Sequence, residues 1–470
     1  MTGQNVLHAV VLVSVGYLAV LYLSYVALAA VGLHENAIRR RESAVEDYDG
    51  LAVSRFTIPV SIILAAYNEE GAISATVRSL LRLDYPEFEV IVVNDGSVDG
   101  TLERLRADFG LVPVETFARH VIDTEPVRCA YRPRDRAPLV VIDKMNGGKA
   151  DALNAGLNQA RYRYVCGVDA DTVFSKDALL KGMRLVMPDP ARVIGVTSPL
   201  TIALDPEASM AEPVGRRRIP SRPLIAYQHL DYLRAFFNNR LAWSRLDFML
   251  CAVGAFQIWR RDVLEEVGGY ARGFTCEDIE LTFRVHERYL RRGRPYKILC
   301  LPDNVGTTEG PDTVRKLVSQ RERWQRVINE ACWHYRYMLL NPRYRSVGLL
   351  GMPFYLLSEV LAPVFELVAG ASLVGAALYG VLDWTAFLLT VGTIAFLNGA
   401  LTGTAILADD YQSRIYRVSD LVRLLALAPL DLVLYRPILM WARLKGTWRF
   451  LRRDKGWYKF ERNARPASGG

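Results

Sequence analysis

The chain has 470 residues, 51% of them hydrophobic and 23% charged, which is enough apolar mass for more than one packed domain. Its formal charge of +8 and pI of about 9.1 gather on no recognisable nucleic-acid motif, which argues against nucleic acid as a partner. The six cysteines (Cys129, Cys166, Cys251, Cys276, Cys300, Cys332) and six histidines show no C-x-x-C, no H-E-x-x-H and no zinc-ligand spacing, so zinc chemistry is set aside and the thiols read as reduced and cytosolic.

A mean hydropathy of +0.10 is high for a soluble protein, and its source is uneven. Val6 to Leu33 holds no Asp, Glu, Lys or Arg and is long enough to cross a hydrocarbon core of about 30 Å. The basic cluster Arg39, Arg40 and Arg41 comes after this run, whereas a cleaved signal peptide carries its charge before a shorter one. By the positive-inside tendency the block that follows is cytoplasmic and the N-terminus lies outside.

Val60 to Ala65 is a β-branched run followed by Tyr67-Asn68-Glu69 and a helical pattern over Ala72 to Leu83. Phe88 to Val93 is a second such run, followed by Asp95-Gly96-Ser97 and a helix over Thr101 to Arg106. Two strand-turn-helix units predict a parallel α/β sheet with its ligand crevice at the carboxyl ends of the strands. Asp108 to Arg136 is less regular and reads as a surface insertion before a third strand, Leu139 to Ile142. In NGGKADALNAG the glycines let backbone approach a ligand, and Lys149 opens a helix over Ala150 to Ala160. The Walker spacing is absent, so a phosphate here would meet one lysine and a helix N-terminus.

That helix leads into Tyr164 to Thr172, YVCGVDADT, an apolar strand ending in Asp169 and Asp171. On an extended strand the two acids point to one side. Carboxylates at the end of a buried strand require a positive partner, and a divalent cation carrying a diphosphate would supply it. A D-x-D triplet by itself also occurs in solvated turns.

Beyond Asp177 come a helix, a strand over Val193 to Thr197, the basic stretch EPVGRRRIPSRP and an aromatic-rich helix from Ile225 to Asn238. LCAVGAFQIWRRDVLEEVGGY reads as a backbone-permissive turn before a helix. TCEDIEL opens another helix with Glu277 and Asp278 in its first turn, where acids also complement the helix dipole. A helix over Leu317 to Met338 places Gln320, Arg323 and Trp324 on one face, and Trp333, Tyr335 and Tyr337 near its end suit a membrane interface.

Leu349 to Leu382 and Trp384 to Ala408 read as two further spans, the first containing the intramembrane carboxylates Glu359 and Glu366. Leu421 to Trp441 contains Arg423, Asp431, Arg436 and Pro437 and reads as an interfacial helix, with a fourth span as the alternative. The basic tail from Arg436 to Arg465 reads as contact with anionic lipid headgroups.

Taken in order, AAYNEE, NDGS, NGGKADALN, DADT, GAF followed by RRDVLEEVGGY, TCEDIEL and QRERW resemble the membrane-embedded family 2 glycosyltransferases. That group contains the cellulose, hyaluronan, chitin and poly-N-acetylglucosamine synthases, and the resemblance covers roughly Pro59 to Arg343. It implies an α/β chain: a GT-A-type cytosolic glycosyltransferase domain flanked by transmembrane and interfacial helices. The implied divisions are a first transmembrane helix over 1–34, the cytosolic domain over 35–346, two transmembrane helices over 347–408, and an interfacial or fourth membrane helix with a basic tail over 409–470.

The implied activity is that of an inverting, metal-dependent hexosyltransferase of the inner (plasma) membrane, multi-pass, with its catalytic domain cytoplasmic. It would take a UDP-sugar donor with Mg2+ or Mn2+ and extend a glycan processively, coupled to export. The alternative is transfer of one sugar to a lipid acceptor. By resemblance Tyr67, Glu69 and Asp95 would hold uracil and ribose, Lys149 the nucleotide or diphosphate, and Asp169 the donor. Asp169 and Asp171 would bind the metal, Asp278 would act as general base, and Arg323 would neutralise the departing diphosphate. Gln320 and Trp324 would floor the acceptor site. Val327 stands where close members have glycine, and Val253 where a small serine is frequent; both departures bear on the acceptor side. A transporter would devote most of its length to spans with repeat symmetry, and a catalytically dead scaffold would have no need of the acids.

Overall fold

The computed structural model describes residues 3–44, 50–51, 54, 57–115, 119–202, 222–413 and 416–454. EPVGRRRIPSRP as far as Ser221, and the tail beyond Asp454, lie outside the described residues. Contacts divide the chain into two units, one of residues 1–38, 216–248 and 310–457 and the other of residues 39–215, 249–309 and 458–470.

The first unit is helical. Among the described residues three helices are long and apolar enough to cross a membrane: Ala9–Ser43, most of which lies in this unit, Val347–Leu378 and Trp384–Asp410. The second of these is irregular, with π-helical turns at Val347–Gly351 and Leu356–Leu361. Pro363 follows the second turn, and its missing N–H deprives the Glu359 carbonyl of its helical donor. Two side chains replace that donor: Gln325 Nε2 lies 2.8 Å from the Glu359 carbonyl, and Arg443 Nη2 lies 2.9 Å from it, 2.7 Å from that of Ser358 and 3.0 Å from Glu359 Oε2. The Tyr17 hydroxyl donates to the Leu357 carbonyl at 2.6 Å. These backbone carbonyls are thereby satisfied inside the protein.

The stretch read as an interfacial helix is broken into Val418–Leu427, Asp431–Leu434 and Arg436–Leu451. The last of these packs along Val314–His334. Arg443 Nε meets Gln325 Oε1 at 3.0 Å, Asn329 donates to Thr447 at 3.1 Å and Arg449 pairs with Glu322 at 2.8 Å.

In the other unit the apolar runs become strands: β1 (Val60–Ala66), β2 (Phe88–Asp95), β3 (Leu111–Val114), β4 (Val127–Pro133), β5 (Leu139–Lys144), β6 (Tyr164–Asp169), β7 (Thr172–Phe174), β8 (Val193–Thr197), β9 (Thr201–Ile202), β10 (Phe256–Arg260), β11 (Lys297–Cys300) and β12 (Gly306–Thr308). Nine form one sheet in the order β11-β8-β10-β6-β1-β2-β5-β4-β3, and β7-β12-β9 form a small second one. The central strands β6, β1, β2 and β5 are mutually parallel and nearly continuous in apolar residues, as strands covered on both faces must be.

Three readings of the sequence change here. The irregular stretch over 108–136 contains β3 and β4, an antiparallel hairpin that extends the sheet beyond β5; the exposed arginines of β4 mask its buried Ala130 and Tyr131. Phe256–Arg260 is a strand, β10, antiparallel to both β6 and β8. β6 ends at Asp169, and Ala170 and Asp171 form a turn into β7, so the two acids do not share one extended strand.

Helix Glu277–Arg291 is anchored by buried His286, whose Nε2 lies 2.6 Å from the Met249 carbonyl and must carry the proton, while Nδ1 accepts from the Tyr296 hydroxyl. Burial lowers the His286 pKa to about 4, against the opposing pull of the carbonyl. An unfolded histidine titrates near 6.5. The histidine contribution is therefore fully present above about pH 6.5 and lost as pH falls towards 4, because the unfolded chain takes up the proton first. His286→Gln should flatten the fall in thermal midpoint between pH 7 and pH 5. An unchanged slope would place that pH sensitivity elsewhere.

Candidate active site

Because β6, β1, β2 and β5 run the same way, their carboxyl ends form one rim. The register sets Asp169 opposite Ala65, and Asp95 opposite Lys144. Tyr67 and Glu69 follow β1 on a turn joined to the turn after β2. Asn68 N donates to Ser97 Oγ at 2.9 Å, Val98 N to Asn68 Oδ1 at 2.9 Å and Glu69 N to Thr101 Oγ1 at 2.8 Å. Asn68 holds a left-handed φ of 53°, tolerable for asparagine, whose side chain bonds locally.

Asp95 is buried and organises the glycine loop. Its carboxylate accepts from Gly147 N at 3.0 Å, Gly148 N at 2.7 Å, Asn146 Nδ2 at 3.2 Å and Lys144 Nζ at 2.7 Å. Gly148 has φ +87°, a conformation that L side chains rarely adopt. Lys144 is fully buried and also pairs with buried Asp151 at 2.5 Å, and Asp151 in turn pairs with Arg272 at 2.7 Å. The sequence reading missed Lys144 and Asp151. Their one signal is a lysine closing the apolar strand LVVIDK, which needs a buried acid nearby.

Five residues after Lys144, Lys149 begins helix Lys149–Gln159. Its ammonium lies 2.7 Å from Asp169 Oδ1 and 2.7 Å from Glu277 Oε1. Desolvation alone would lower the Lys149 pKa, but the two carboxylates outweigh it and hold the pKa well above lysine's ordinary value. Asp278 Oδ2 accepts from Gly254 N at 3.0 Å, and Oδ1 from Ile279 N at 2.8 Å. A Cβ on Gly254 would stand 3.2 Å from Asp278 Oδ2 and 3.4 Å from Lys149 Nζ, so the glycine lets the GAF turn close on both groups. Burial, then the adjacent Glu277 charge, raises the Asp278 pKa; Lys149 and the two amides pull it down by less. Glu277, seen in the sequence only as a helix-capping acid, is thus part of the cluster.

Gln320, Arg323 and Trp324 lie in the other unit, on helix Val314–His334. Gln320 Oε1 and Arg323 Nε are buried without a hydrogen-bond partner among the described residues. The Trp324 ring lies 6.4 Å from that of Tyr232.

A family model described as "Glycosyltransferase like family 2" matches residues 58–327. A poly-beta-1,6-N-acetyl-D-glucosamine synthase of Staphylococcus epidermidis is 26% identical over 342 residues, covering 71% of this chain and 66% of that protein. Its counterpart in Staphylococcus aureus (strain MSSA476) is 25% identical over 301 residues, covering 63% of this chain and 60% of that protein. The match therefore spans less than two thirds of these relatives' length. Among solved structures, a mannosyltransferase from Pyrobaculum calidifontis in complex with GDP-Man and Mn2+ superposes with a TM-score of 0.52 at 20% identity, covering 83% of this chain and 97% of that one. At that identity the likeness is one of fold.

Lys144→Met removes the cation between two buried carboxylates and should destabilise the protein by about 3 kcal/mol, the lower end for breaking a buried pair, since Arg272 still faces Asp151. Lys149→Met, at a side chain 37% exposed, should cost clearly less. Denaturant midpoints of the two variants check this, and equal shifts would remove Lys144 as the buried anchor of the loop.

Proposed function

Because this chain belongs to glycosyltransferase family 2, we propose that it takes a sugar from a UDP-sugar and extends a polysaccharide at the membrane, with inversion at the anomeric carbon. The chain is a glycosyltransferase with the mixed α/β sheet of the GT-A fold. The observation that carries the finer reading is the convergence of Asp169 and Glu277 on Lys149, with Asp278 and Lys149 both closed upon by Gly254.

Tyr67 and Glu69 hold uracil and ribose. Asp95 serves the donor through the glycine loop that it fixes, and Lys149 meets the diphosphate. Asp169, with its side chain 32% exposed, and Asp171 offer hard oxygen donors that fit Mg2+ or Mn2+, ions that commonly take one or two carboxylates and complete their shell with substrate phosphate. Bound there, the ion offsets charge on the leaving diphosphate. Asp278 accepts the proton of the acceptor hydroxyl; the hydroxyl oxygen bonds to the anomeric carbon from the face opposite the diphosphate, and the carbon–oxygen bond to UDP breaks with its electron pair leaving on UDP. Arg323 neutralises the departing diphosphate, while Gln320 and Trp324 receive the acceptor sugar.

Polymerisation is favoured over single transfer because the curated relatives are poly-beta-1,6-N-acetyl-D-glucosamine synthases, and UDP-N-acetylglucosamine is accordingly the first donor to try. The enzyme is processive and coupled to export, multi-pass in the inner membrane, with the catalytic unit on the cytoplasmic side set by Arg39 to Arg41.

Incubating the purified protein in lipid with radiolabelled UDP-sugars and sizing the product tests this reading. Long chains that lengthen on further donor are expected. Product that never exceeds one sugar on a lipid-extractable acceptor would make the enzyme a lipid glycosyltransferase.

The base has its own test. Asp278→Asn should lower turnover by at least about 10²-fold, the lower scale for a general base, with UDP-sugar affinity little changed. The raised Asp278 pKa puts the acid limb of the wild-type pH–rate profile above the ordinary aspartate value of about 3.9. Glu277→Gln removes a charge that raises this pKa and should move the limb to lower pH. An active Asp278→Asn enzyme would reduce Asp278 to a helix-capping acid.

A further inference from the structure

Helix Pro223–Leu233 is the aromatic-rich helix of the sequence, and the catalytic reading gives it no task. Its Asp231 and Tyr232 meet the acceptor-motif helix at Arg321, a residue between Gln320 and Arg323 to which no role has been attached. The Arg321 guanidinium carbon stands 4.3 Å from the centroid of the Trp324 ring and 5.9 Å from that of Tyr232. Its Nη2 is 2.9 Å from Asp231 Oδ2, and the side chain is only 13% exposed. Asp231 is in turn 3.7 Å from Arg234, which is pinned at 2.8 Å to buried Asp431.

From this geometry we propose that Arg321 is a positioning residue for the acceptor: held by Asp231, it lies over one face of the Trp324 indole, so that an incoming sugar ring has at most the other face on which to stack. The spacing is what a helix provides, since residues three apart are neighbours on its surface. A guanidinium suits the task better than an ammonium, because its plane lies on an aromatic face while its edge still reaches a carboxylate. With one face closed, the acceptor can stack from a single side, so the ring orientation fixes which way its hydroxyl points. An ion pair that only stapled two helices would not need its cation over the indole.

The inference rests on the reading of Trp324 as the acceptor floor, and the test separates the two. The full chain in lipid nanodiscs is assayed with UDP-N-acetylglucosamine as donor and the β-1,6-linked N-acetylglucosamine disaccharide as added acceptor. Arg321→Gln should raise the acceptor KM about threefold to thirtyfold, the range that cation–π contacts span, and leave the donor KM unchanged. Arg321→Lys should fall between that variant and wild type. Asp231→Asn, which frees the guanidinium without touching the ring, should shift the acceptor KM in the same direction and serves if Arg321→Gln does not fold. In a Trp324→Phe background, where the preferred ring is gone, the Arg321→Gln effect should shrink. If Trp324→Ala abolishes transfer while the Arg321 and Asp231 variants keep the wild-type acceptor KM, or raise donor and acceptor KM alike, this inference falls alone. If Trp324→Ala transfers normally, or wild-type protein does not elongate the disaccharide, the acceptor reading falls and takes this inference with it.

Discussion

Carboxylates at the ends of buried strands must find counter-charge inside the protein, and the rim of the sheet is built around that requirement. Two lysines five residues apart meet it. Lys144 joins Asp95 of β2 to Asp151 of helix Lys149–Gln159, and Lys149 joins Asp169 of β6 to Glu277 of helix Glu277–Arg291. The glycine loop between them is therefore tied at both ends. Exposure divides the labour: Lys144 is 0% exposed and can only hold structure, whereas Lys149 is 37% exposed and can exchange a carboxylate for a ligand. The acids that look like a donor site in the sequence are thus held in place by partners of which only one was visible as functional.

The helical unit answers a similar requirement for backbone. Proline inside a helix removes a backbone donor, and the carbonyl left over needs another partner. Here the Glu359 carbonyl accepts from both Arg443 and Gln325 Nε2, and Arg443 Nε also holds Gln325 on helix Val314–His334. One guanidinium therefore fastens helix Arg436–Leu451 to the kink of the second apolar helix and to Val314–His334. Glu359, an expensive residue within an apolar stretch, is accounted for by the same contact.

The sequence made the central sheet legible because its strands are buried on both faces and therefore read as unbroken apolar runs; β8 is found where its run predicts. The hairpin β3–β4 was hidden because exposed Arg128 and Arg132 flank its buried Ala130 and Tyr131 and leave no unbroken apolar run, and β10 because its run is short and lies between a glycine turn and a helix. The D-x-D triplet was placed on one strand by periodicity, but a strand ends when its pairing ends: β6 loses its partner after the Ala65–Asp169 pair. Lys144 and Arg321 were illegible for a different reason. Their partners Asp95, Asp151 and Asp231 are far away in sequence, and only the register of the sheet and the packing of helices bring them near.

The family match ends at residue 327, before the second apolar helix begins at Val347. The matched residues hold the sheet, the acid cluster around Lys149 and the Gln320–Trp324 face of helix Val314–His334. The apolar helices from Val347 onward lie outside the matched residues. The two departures from the family pattern fit this division. Val327 is 0% exposed and so belongs to the packing of its helix, not to its polar face. Val253 packs against the core of the sheet unit, with its amide donating to Thr197 at 3.0 Å. Both valines thus act on how an element is seated: Val327 through the packing of helix Val314–His334 and Val253 through the approach of the GAF turn to the sheet.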